Sequence, residues 1–381
     1  MHNLLHHTKN NSDPMNRNTL IKNTTFITAY SECHCNRFRS AFIKNTAFIT
    51  HVFILIVLVA NGQENDIVAE GAGTAICSYQ NMVVKGIDIV AESVPGFRRL
   101  PGNGSEQGND IVAEGAIPQK AGTGYAFTEG PAVASDGSIY FTDQPNDRIY
   151  RWVENEGITR WLEGTERANG MYFNHDDKLV ACADEQNRII LFESRQERKV
   201  LLEGFEGKHL NGPNDLWIAP NGDIYFTDPY YHRNYWPGGH SEVQEVRGVY
   251  RLTAKGEVTR LIDDFKQPNG IIGNPDGKWL YVADIEDQKI WRYMIQPDGS
   301  LADKTFFAPH GSDGMTIDHR GNIYLTMGRV WVYSPEGELI REIEIPENPS
   351  NLCFGGKYRD ILFITARTSV YTLKMNVRGV Q

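Results

Sequence analysis

The sequence predicts an all-β protein, a six-bladed β-propeller that follows a poorly structured N-terminal leader. Three observations support this fold. From residue 121 onward the chain repeats at a spacing of about 38 to 55 residues, which is typical of propellers and solenoids. Each repeat holds short strands joined by glycine-containing turns, and the spacing of an α-solenoid is absent. The 36 glycines and the aromatic content of 11% suit many short strands with tight turns.

The repeats share one order of strands. A polar residue beside glycine or proline opens an apolar strand, and a turn such as Ser135-Asp136-Gly137 leads to a second strand that ends in a small or acidic residue. A third strand carries alternating aromatic residues, and a fourth is polar. Four short strands of this kind are typical of one propeller blade. The repeats begin at Thr128, Ala168, Gly212, Pro268, Ser312 and Pro349.

Residues 121–381 are assigned to the propeller domain. An open ring of blades would leave strand edges exposed to pairing with other chains. We therefore expect the segment just before Thr128 to pair with the last blade and to close the ring. Asp143 and Asp228, which end second strands, are predicted to brace neighbouring backbone.

Residues 1–120 form a predicted leader with low-complexity repeats. IKNTTFIT at 21–28, for example, returns as IKNTAFIT at 43–50. Residues 47–63 contain an apolar run of about 14 residues that follows basic residues, which is the order of a secretory signal. The interpretation is an exported protein, periplasmic or secreted. The alternatives are an uncleaved membrane anchor, a buried segment and, if the leader is not a signal, a cytoplasmic location.

Composition narrows the choice of partners. The formal net charge is −10, which argues against nucleic acid and tolerates a bound cation. Membrane contact is expected only through the possible N-terminal anchor. The cysteines form no CxxC pair, and Cys182 and Cys353 lie in apolar strand patterns, so both are predicted to be buried core residues.

Residues at the start of the first strand of each blade should meet around the central channel. All of them carry oxygen: Glu129, Asn169, Asn214, Asn269, Asp313 and the Ser350–Asn351 pair. Hard cations such as Ca²⁺ bind about six to eight oxygens from carboxylates, amides and water. Glu129 and Asp313 balance one divalent charge, and the lack of thiolates and histidine pairs in the set disfavours zinc and copper. The sequence therefore predicts one divalent cation, with Ca²⁺ favoured and Mg²⁺, Mn²⁺ or Zn²⁺ as alternatives.

At these residues the sequence resembles the gluconolactonase family, which includes senescence marker protein (regucalcin). The resemblance covers about residues 121–373, and its motifs are EGP at 129–131, NGPND at 211–215, FTDP at 226–229, PNG at 268–270 and SDGM at 312–315. It implies one catalytic divalent ion held by four side chains, with two neighbours facing the substrate. The implied ligands are Glu129, Asn214, Asn269 and Asp313, and the neighbours are Asn169 and Asp215. Gly212 departs from the animal members, which carry an arginine there.

The implied chemistry is hydrolysis of a cyclic ester, a sugar lactone such as gluconolactone. The ion would polarise the carbonyl group, and water would attack it. Asp313 is predicted to be the general base. His232 lies in an insertion at 230–246 that is predicted to cover the mouth of the channel, and we expect this histidine to contact the substrate.

Two other functions stay open at this point. A calcium-dependent propeller esterase or phosphotriesterase would share the same ring of oxygen ligands. A non-catalytic propeller would bind a sugar or a protein partner instead. No GxSxG elbow occurs in the sequence, so a serine-hydrolase mechanism is not indicated.

Overall fold

The computed structural model describes residues 67–69, 97–99, 110–236 and 242–381. The first two of these ranges are short strands, β1 (Ile67–Ala69) and β2 (Phe97–Arg99), which pair with each other in antiparallel fashion. The predicted signal segment at 47–63 lies outside the described residues, and the domain division at residue 121 stays a prediction. Within the described ranges, no helix has the length and apolar character needed to cross a bilayer.

The rest of the described chain is a six-bladed β-propeller, as predicted from the repeats. It contains six sheets of four antiparallel strands each. The strands of blades 1 to 3 are β4 (Thr128–Val133), β5 (Ile139–Asp143), β6 (Arg148–Val153), β7 (Gly157–Glu163), β8 (Ala168–Phe173), β9 (Leu179–Ala183), β10 (Arg188–Phe192), β11 (Arg198–Leu202), β12 (Leu216–Ile218), β13 (Ile224–Asp228), β14 (Gly248–Leu252) and β15 (Val258–Ile262).

Blades 4 to 6 follow the same plan, except that the outermost strand of blade 6 comes from the beginning of the domain. Their strands are β16 (Pro268–Gly273), β17 (Trp279–Asp284), β18 (Lys289–Ile295), β19 (Leu301–Ala308), β20 (Met315–Ile317), β21 (Ile323–Met327), β22 (Arg329–Tyr333), β23 (Leu339–Ile343), β24 (Asn351–Gly355), β25 (Ile361–Ala366), β26 (Ser369–Lys374) and β3 (Gln119–Thr123). A single 3₁₀ turn, Gln144–Asn146, is the helical element of the described residues.

Strand β3 closes the ring by pairing with β26, which confirms the predicted closure. The carboxylate of Glu347 joins the two strands. It bonds Lys120 Nζ on β3 at 2.9 Å, and it accepts hydrogen bonds from the hydroxyl groups of Ser369 and Tyr371 on β26 at 2.5 and 2.8 Å. Ile111 also packs, fully buried, among the side chains of the last two blades.

The first strands of the blades pack against one another around the axis, in the order β4, β8, β12, β16, β20, β24 and back to β4. Glycine permits the closest of these approaches. A Cβ atom at Gly130 would collide with the carbonyl oxygen of Asn169, and one at Gly314 would collide with the side chain of Asn351. Cys182 and Cys353 are buried between the sheets, as predicted.

Candidate metal-binding active site

The structure brings the predicted oxygen-bearing residues to one end of the channel, at or just before the start of the inner strands. Most of them are buried; Asp313 alone of the four predicted ligands is partly exposed. Burying polar groups costs free energy unless they find partners. The partners of each side chain therefore indicate which oxygens are left for a ligand.

Asn269 and Asp313 form a directly bonded pair. Asn269 Nδ2 donates to Asp313 Oδ1 at 2.9 Å, and its second hydrogen goes to the Tyr231 hydroxyl oxygen, also at 2.9 Å. A carboxylate can only accept, so this contact fixes the orientation of the amide. Asn269 Oδ1 consequently faces the other way, where it is buried and has no hydrogen-bond partner among the described residues. An unsatisfied buried carbonyl oxygen of this kind suits a cation.

Glu129 is bonded through one carboxylate oxygen. Its Oε2 accepts from Asn351 Nδ2 at 3.1 Å and from the backbone nitrogen of Gly130 at 2.8 Å, which leaves Oε1 for a ligand. Burial raises the pKa of Glu129 well above its usual value, and the negative charges of Asp313 and Asp215 raise it further. A divalent cation would relieve this repulsion.

Asn214 and Asn169 add amide oxygens to the ring. The side chain of Asn214 makes no recorded hydrogen bond within the described chain, while its backbone is held by Thr227 and Gly170. Asn169 Oδ1 is buried and lacks a partner among the described residues, as Asn269 Oδ1 does. Asn169, predicted to face substrate, is therefore also available as a further cation ligand.

Asp215 and Asp313 both hold a proton more readily than an ordinary aspartate does. Burial raises the pKa of Asp215 to about 7, although the backbone nitrogen of Leu216 donates to its Oδ1 at 2.9 Å. Burial raises the pKa of Asp313 to about 6, against the hydrogen bond from Asn269. These carboxyl groups lie close enough that the charge of Asp313 acts on Asp215 as well as on Glu129.

The residues present fit a hard divalent cation. Two carboxylates, two unsatisfied amide oxygens and the amide of Asn214 form an all-oxygen donor set. Over the described ranges, no three His, Cys, Asp or Glu side chains converge closely enough to hold a metal on their own. The site therefore depends on its amides. The predicted ligands Glu129, Asn214, Asn269 and Asp313 would hold the ion.

Buried threonines in the second strands link neighbouring members of the ring. The Thr227 hydroxyl group accepts from the backbone nitrogen of Asp215 at 3.2 Å and donates to the carbonyl oxygen of Asn269 at 2.8 Å. Thr326 accepts from Gly314 N and donates to Ser350 O in the same manner. The recurring Thr in FTD, LTM and ITA is the sequence signal for this role, and the prediction from the repeats did not include it.

The aspartates that end second strands brace backbone, as predicted. Asp143 Oδ1 accepts from the backbone nitrogens of Ala126 and Phe127 at 3.0 and 3.1 Å. The two oxygens of Asp228 accept from the nitrogens of Asn211 and Gly212 at 2.9 and 2.8 Å. Each aspartate thus fixes the segment that leads into its own blade.

The insertion predicted to cover the mouth begins beside the ring. We call its residues 229–236, between β13 and β14, the mouth loop. Tyr231 of this loop contacts Asn269, whereas His232 is exposed and has no recorded bond to the ring. Its substrate contact stays a prediction. Arg233 of the loop and Arg367, which follows β25, lower the pKa of Asp313 by their charge.

Tyr231, Arg233 and Arg367 were not identified from the sequence. None of them occupies the repeated position at the start of an inner strand, and two of them lie in an insertion that other blades lack. The available signal was the position of Tyr231, two residues after the FTDP motif.

Comparisons with other proteins show which family the chain resembles. The 6-deoxy-6-sulfogluconolactonase of Pseudomonas putida is 27% identical over 241 residues, which cover 60% of this chain and 78% of that protein. The gluconolactonase of Zymomonas mobilis subsp. mobilis is 28% identical over 285 residues, which cover 66% of this chain and 80% of that protein.

A solved structure of a gluconolactonase from Xanthomonas campestris superimposes with a TM-score of 0.65 at 27% identity, covering 69% of this chain and 91% of that one. The profile of the family described as SMP-30/Gluconolactonase/LRE-like region matches residues 127–368, which include all four predicted ligands. The chain therefore belongs to the SMP-30/gluconolactonase family.

Proposed function

We propose that the chain hydrolyses a sugar lactone, such as gluconolactone, with one divalent cation bound by Glu129, Asn214, Asn269 and Asp313. Membership of the family and the named relatives support a lactonase. The buried, unpartnered Asn269 Oδ1 beside two repelling carboxyl groups is the observation that supports the cation. Hard oxygen donors favour Ca²⁺ over zinc or copper.

Opening a lactone requires polarisation of the carbonyl group and removal of a proton from the attacking water, and different groups of the site would provide these two functions. When bound, the cation would act as a Lewis acid towards the carbonyl oxygen. Asp313 Oδ1 is held by Asn269, which leaves Oδ2 to accept a proton from the attacking water. The new bond joins the water oxygen to the carbonyl carbon, and the bond between that carbon and the ring oxygen breaks. The proton passes to the ring oxygen, and the product is a hydroxy acid.

Chelation tests the metal dependence directly. The full chain is treated with EDTA, and gluconolactone hydrolysis is measured before and after Ca²⁺, Mg²⁺, Mn²⁺ or Zn²⁺ is restored. We expect activity to disappear and to return best with Ca²⁺. Full activity after exhaustive chelation would contradict the proposal.

Replacing Asp313 by Asn tests the general base. The substitution keeps the size of the side chain and an oxygen for the ion but removes proton acceptance. We expect kcat to fall about 100-fold or more while the circular dichroism spectrum is unchanged. If the protein is a non-catalytic propeller, the unmodified chain will not hydrolyse lactones at all. If it is a phosphotriesterase, the unmodified chain will hydrolyse organophosphates rather than lactones.

We also propose that the protein is exported, on the basis of the charged-then-apolar order around residues 47–63. N-terminal sequencing of the protein from its native cell tests this. A mature chain that begins after this segment is expected, and a cytosolic chain that retains it would contradict the proposal.

A further inference from the structure

The mouth loop is anchored by one buried carboxylate of the neighbouring blade. Asp184, directly after β9, is 2% exposed and accepts hydrogen bonds from Arg233 Nε at 2.8 Å and from the Tyr235 hydroxyl. Gln144 Nε2 donates to the same oxygen at 2.9 Å, and Trp236 Nε1 donates to the Asp184 carbonyl at 2.7 Å. A buried charge with this many donors holds the loop in one geometry.

Arginines and aromatic rings stiffen the loop further. The guanidinium group of Arg167 lies 4.1 Å from the centre of the Tyr235 ring, and that of Arg233 lies 5.4 Å from the centre of the Tyr231 ring. Such contacts stabilise by cation–π attraction and are strongest where water is excluded. The side chain of Tyr231 is therefore held from the loop side as well as from the ring.

The hydrogen bonds around the Tyr231 hydroxyl group indicate whether it can donate its own hydrogen. Its oxygen accepts from Asn269 Nδ2, whose orientation is fixed by Asp313, so its own hydrogen is directed away from Asn269. The nearby amide of Gln267 acts on the Tyr231 hydroxyl as a donor, so it takes no hydrogen from it. Its Oε1 accepts from Arg247 Nη1 at 2.7 Å, and its Nε2 donates to a backbone carbonyl of the mouth loop at 2.9 Å.

We propose that Tyr231 is a catalytic residue whose hydroxyl group donates a hydrogen bond to the ester group of the bound lactone, and that Asp184 positions it by anchoring the mouth loop. This inference rests on the proposed lactonase function. Asn269 Nδ2 donates both to the Tyr231 hydroxyl oxygen and to Asp313 Oδ1, so the hydroxyl lies beside the carboxylate that is proposed to activate the attacking water. A phenol keeps its proton at neutral pH, and a fixed donor stabilises negative charge as it develops on the ester oxygens.

The central experiment compares Tyr231→Phe with the matched control Tyr358→Phe. Both substitutions remove one phenolic oxygen, and Tyr358 lies 57% exposed on the turn between β24 and β25, at the opposite end of the inner strands from the ring. With saturating Ca²⁺ and gluconolactone, we expect Y231F to lower kcat/KM about 10- to 100-fold. Y358F should match the unmodified protein.

Calcium binding separates contact with the substrate from support of the metal ligand. Because Tyr231 also holds Asn269, Y231F could act only by releasing that amide. Isothermal titration with Ca²⁺ in the absence of lactone decides between the two. We expect the Kd for Ca²⁺ to change less than about threefold, far less than kcat/KM. A loss of Ca²⁺ affinity equal to the loss of kcat/KM would overturn the proposal.

A lactam analogue of gluconolactone gives a second readout that does not need turnover. The lactam keeps the ring and the carbonyl oxygen but resists hydrolysis. We expect Y231F to bind it about 3- to 10-fold more weakly than Y358F does, as the loss of one hydrogen bond would require. Equal binding by the two variants, together with equal kcat/KM, would refute the role of Tyr231.

Asp184→Asn tests the positioning role. We expect this variant to lower kcat/KM for gluconolactone while its Kd for Ca²⁺ stays that of the unmodified protein, and addition of Y231F to D184N should cost much less than Y231F costs alone. Additive losses would overturn the link between the two residues. If the unmodified protein itself fails to hydrolyse lactones, the proposed function fails, and that result is distinct from any difference among the variants.

Discussion

Blades 2 and 3 each carry an aspartate at the end of the second strand. In blade 3 this residue, Asp228, bonds backbone of its own blade, and in blade 2 the residue, Asp184, bonds side chains of the mouth loop. Asp228 accepts hydrogen bonds from two backbone nitrogens of the segment that leads into its own blade. Asp184, at the equivalent position, accepts hydrogen bonds from the side chains of Gln144, Arg233 and Tyr235. The comparison teaches that a repeated residue keeps its place in the fold while its partners change.

Another carboxylate bonds the segment between blades 1 and 2. Asp147 has a left-handed backbone, with φ of 54°, that turns its carboxylate towards the segment leading into blade 2. Its Oδ1 accepts from the backbone nitrogens of Thr165 and Arg167, each at 2.7 Å. Asp147 therefore satisfies backbone nitrogens of the segment that leads into blade 2.

The largest effect on stability is expected for Asp228→Ala. The substitution leaves two buried backbone nitrogens without acceptors and should lower the free energy of unfolding by about 2–4 kcal/mol. Urea unfolding monitored by tryptophan fluorescence measures it. The conservative change Asp228→Asn, which keeps one acceptor oxygen, serves as the control and should cost less. Equal stability of D228A and the unmodified chain would contradict the claim that Asp228 stabilises the fold.

Bound calcium should stabilise the ring irrespective of the mouth loop. A ligand at 100 times its Kd raises the free energy of unfolding by about 2.7 kcal/mol. We expect D184N to gain this stabilisation in full, whereas replacing both carboxylate ligands, Glu129→Gln with Asp313→Asn, should abolish it. Thermal unfolding with and without Ca²⁺ measures the difference. Equal stabilisation of all variants would place the ion elsewhere.

Asp184→Asn should cost less stability than Asp228→Ala, about 1–2 kcal/mol, because Arg233 is partly exposed and can turn towards water when its partner loses charge. Urea unfolding measures this loss beside that of D228A. Trp236, whose indole bonds the Asp184 backbone, reports local loosening by its fluorescence. A loss for D184N as large as that for D228A would mean that both aspartates mainly serve the fold.

The smallest effect concerns a third carboxylate, Glu347 at the ring closure. Its hydrogen bonds to Ser369, Lys120 and Tyr371 outweigh partial burial and lower its pKa to about 2 from the usual 4.5. A lowered folded-state pKa stabilises above pH 4.5 and loses this contribution as pH falls towards 2. Glu347→Gln should therefore cost about 0.5–1 kcal/mol at pH 7, since the site is partly exposed and screened.

The pH dependence provides the control for that prediction. Chemical unfolding of E347Q and of the unmodified chain at pH 7, 4 and 3 should show the two stabilities converging as the pH falls. A difference that stays constant over this range would mean that the carboxylate's charge contributes nothing to closure.

The repeat pattern predicted the six blades, the closure and the ring, because each depends on one position that recurs. It also placed Asn351 in the ring, and there the structure adds what a pattern cannot supply. Both polar atoms of the Asn351 amide are engaged, Nδ2 by Glu129 and Oδ1 by the nitrogen of Leu352. Which oxygens are left for a ligand depends on neighbours brought together only by folding.

The contacts of the mouth loop could not be predicted from the repeat pattern either. Tyr231 and Arg233 have no counterpart in other blades, and their contacts reach across to blades 2 and 4. Asp184 itself occupies the acidic position at the end of a second strand, which the repeat predicts without singling out this residue. The turn at Asp147, which brings a carboxylate to the segment that leads into blade 2, is a feature that no alignment of the repeats by apolar spacing would detect.

The hydrogen bond between Glu129 and Asn351 joins residues that lie 222 positions apart in the chain. During synthesis on the ribosome, the first of them emerges long before the second. The earlier blades can form while the later ones are still being translated, but the carboxylate receives its amide neighbour only when the sixth sheet is complete. High-affinity cation uptake would then mark the end of folding, and truncated products would be left without it.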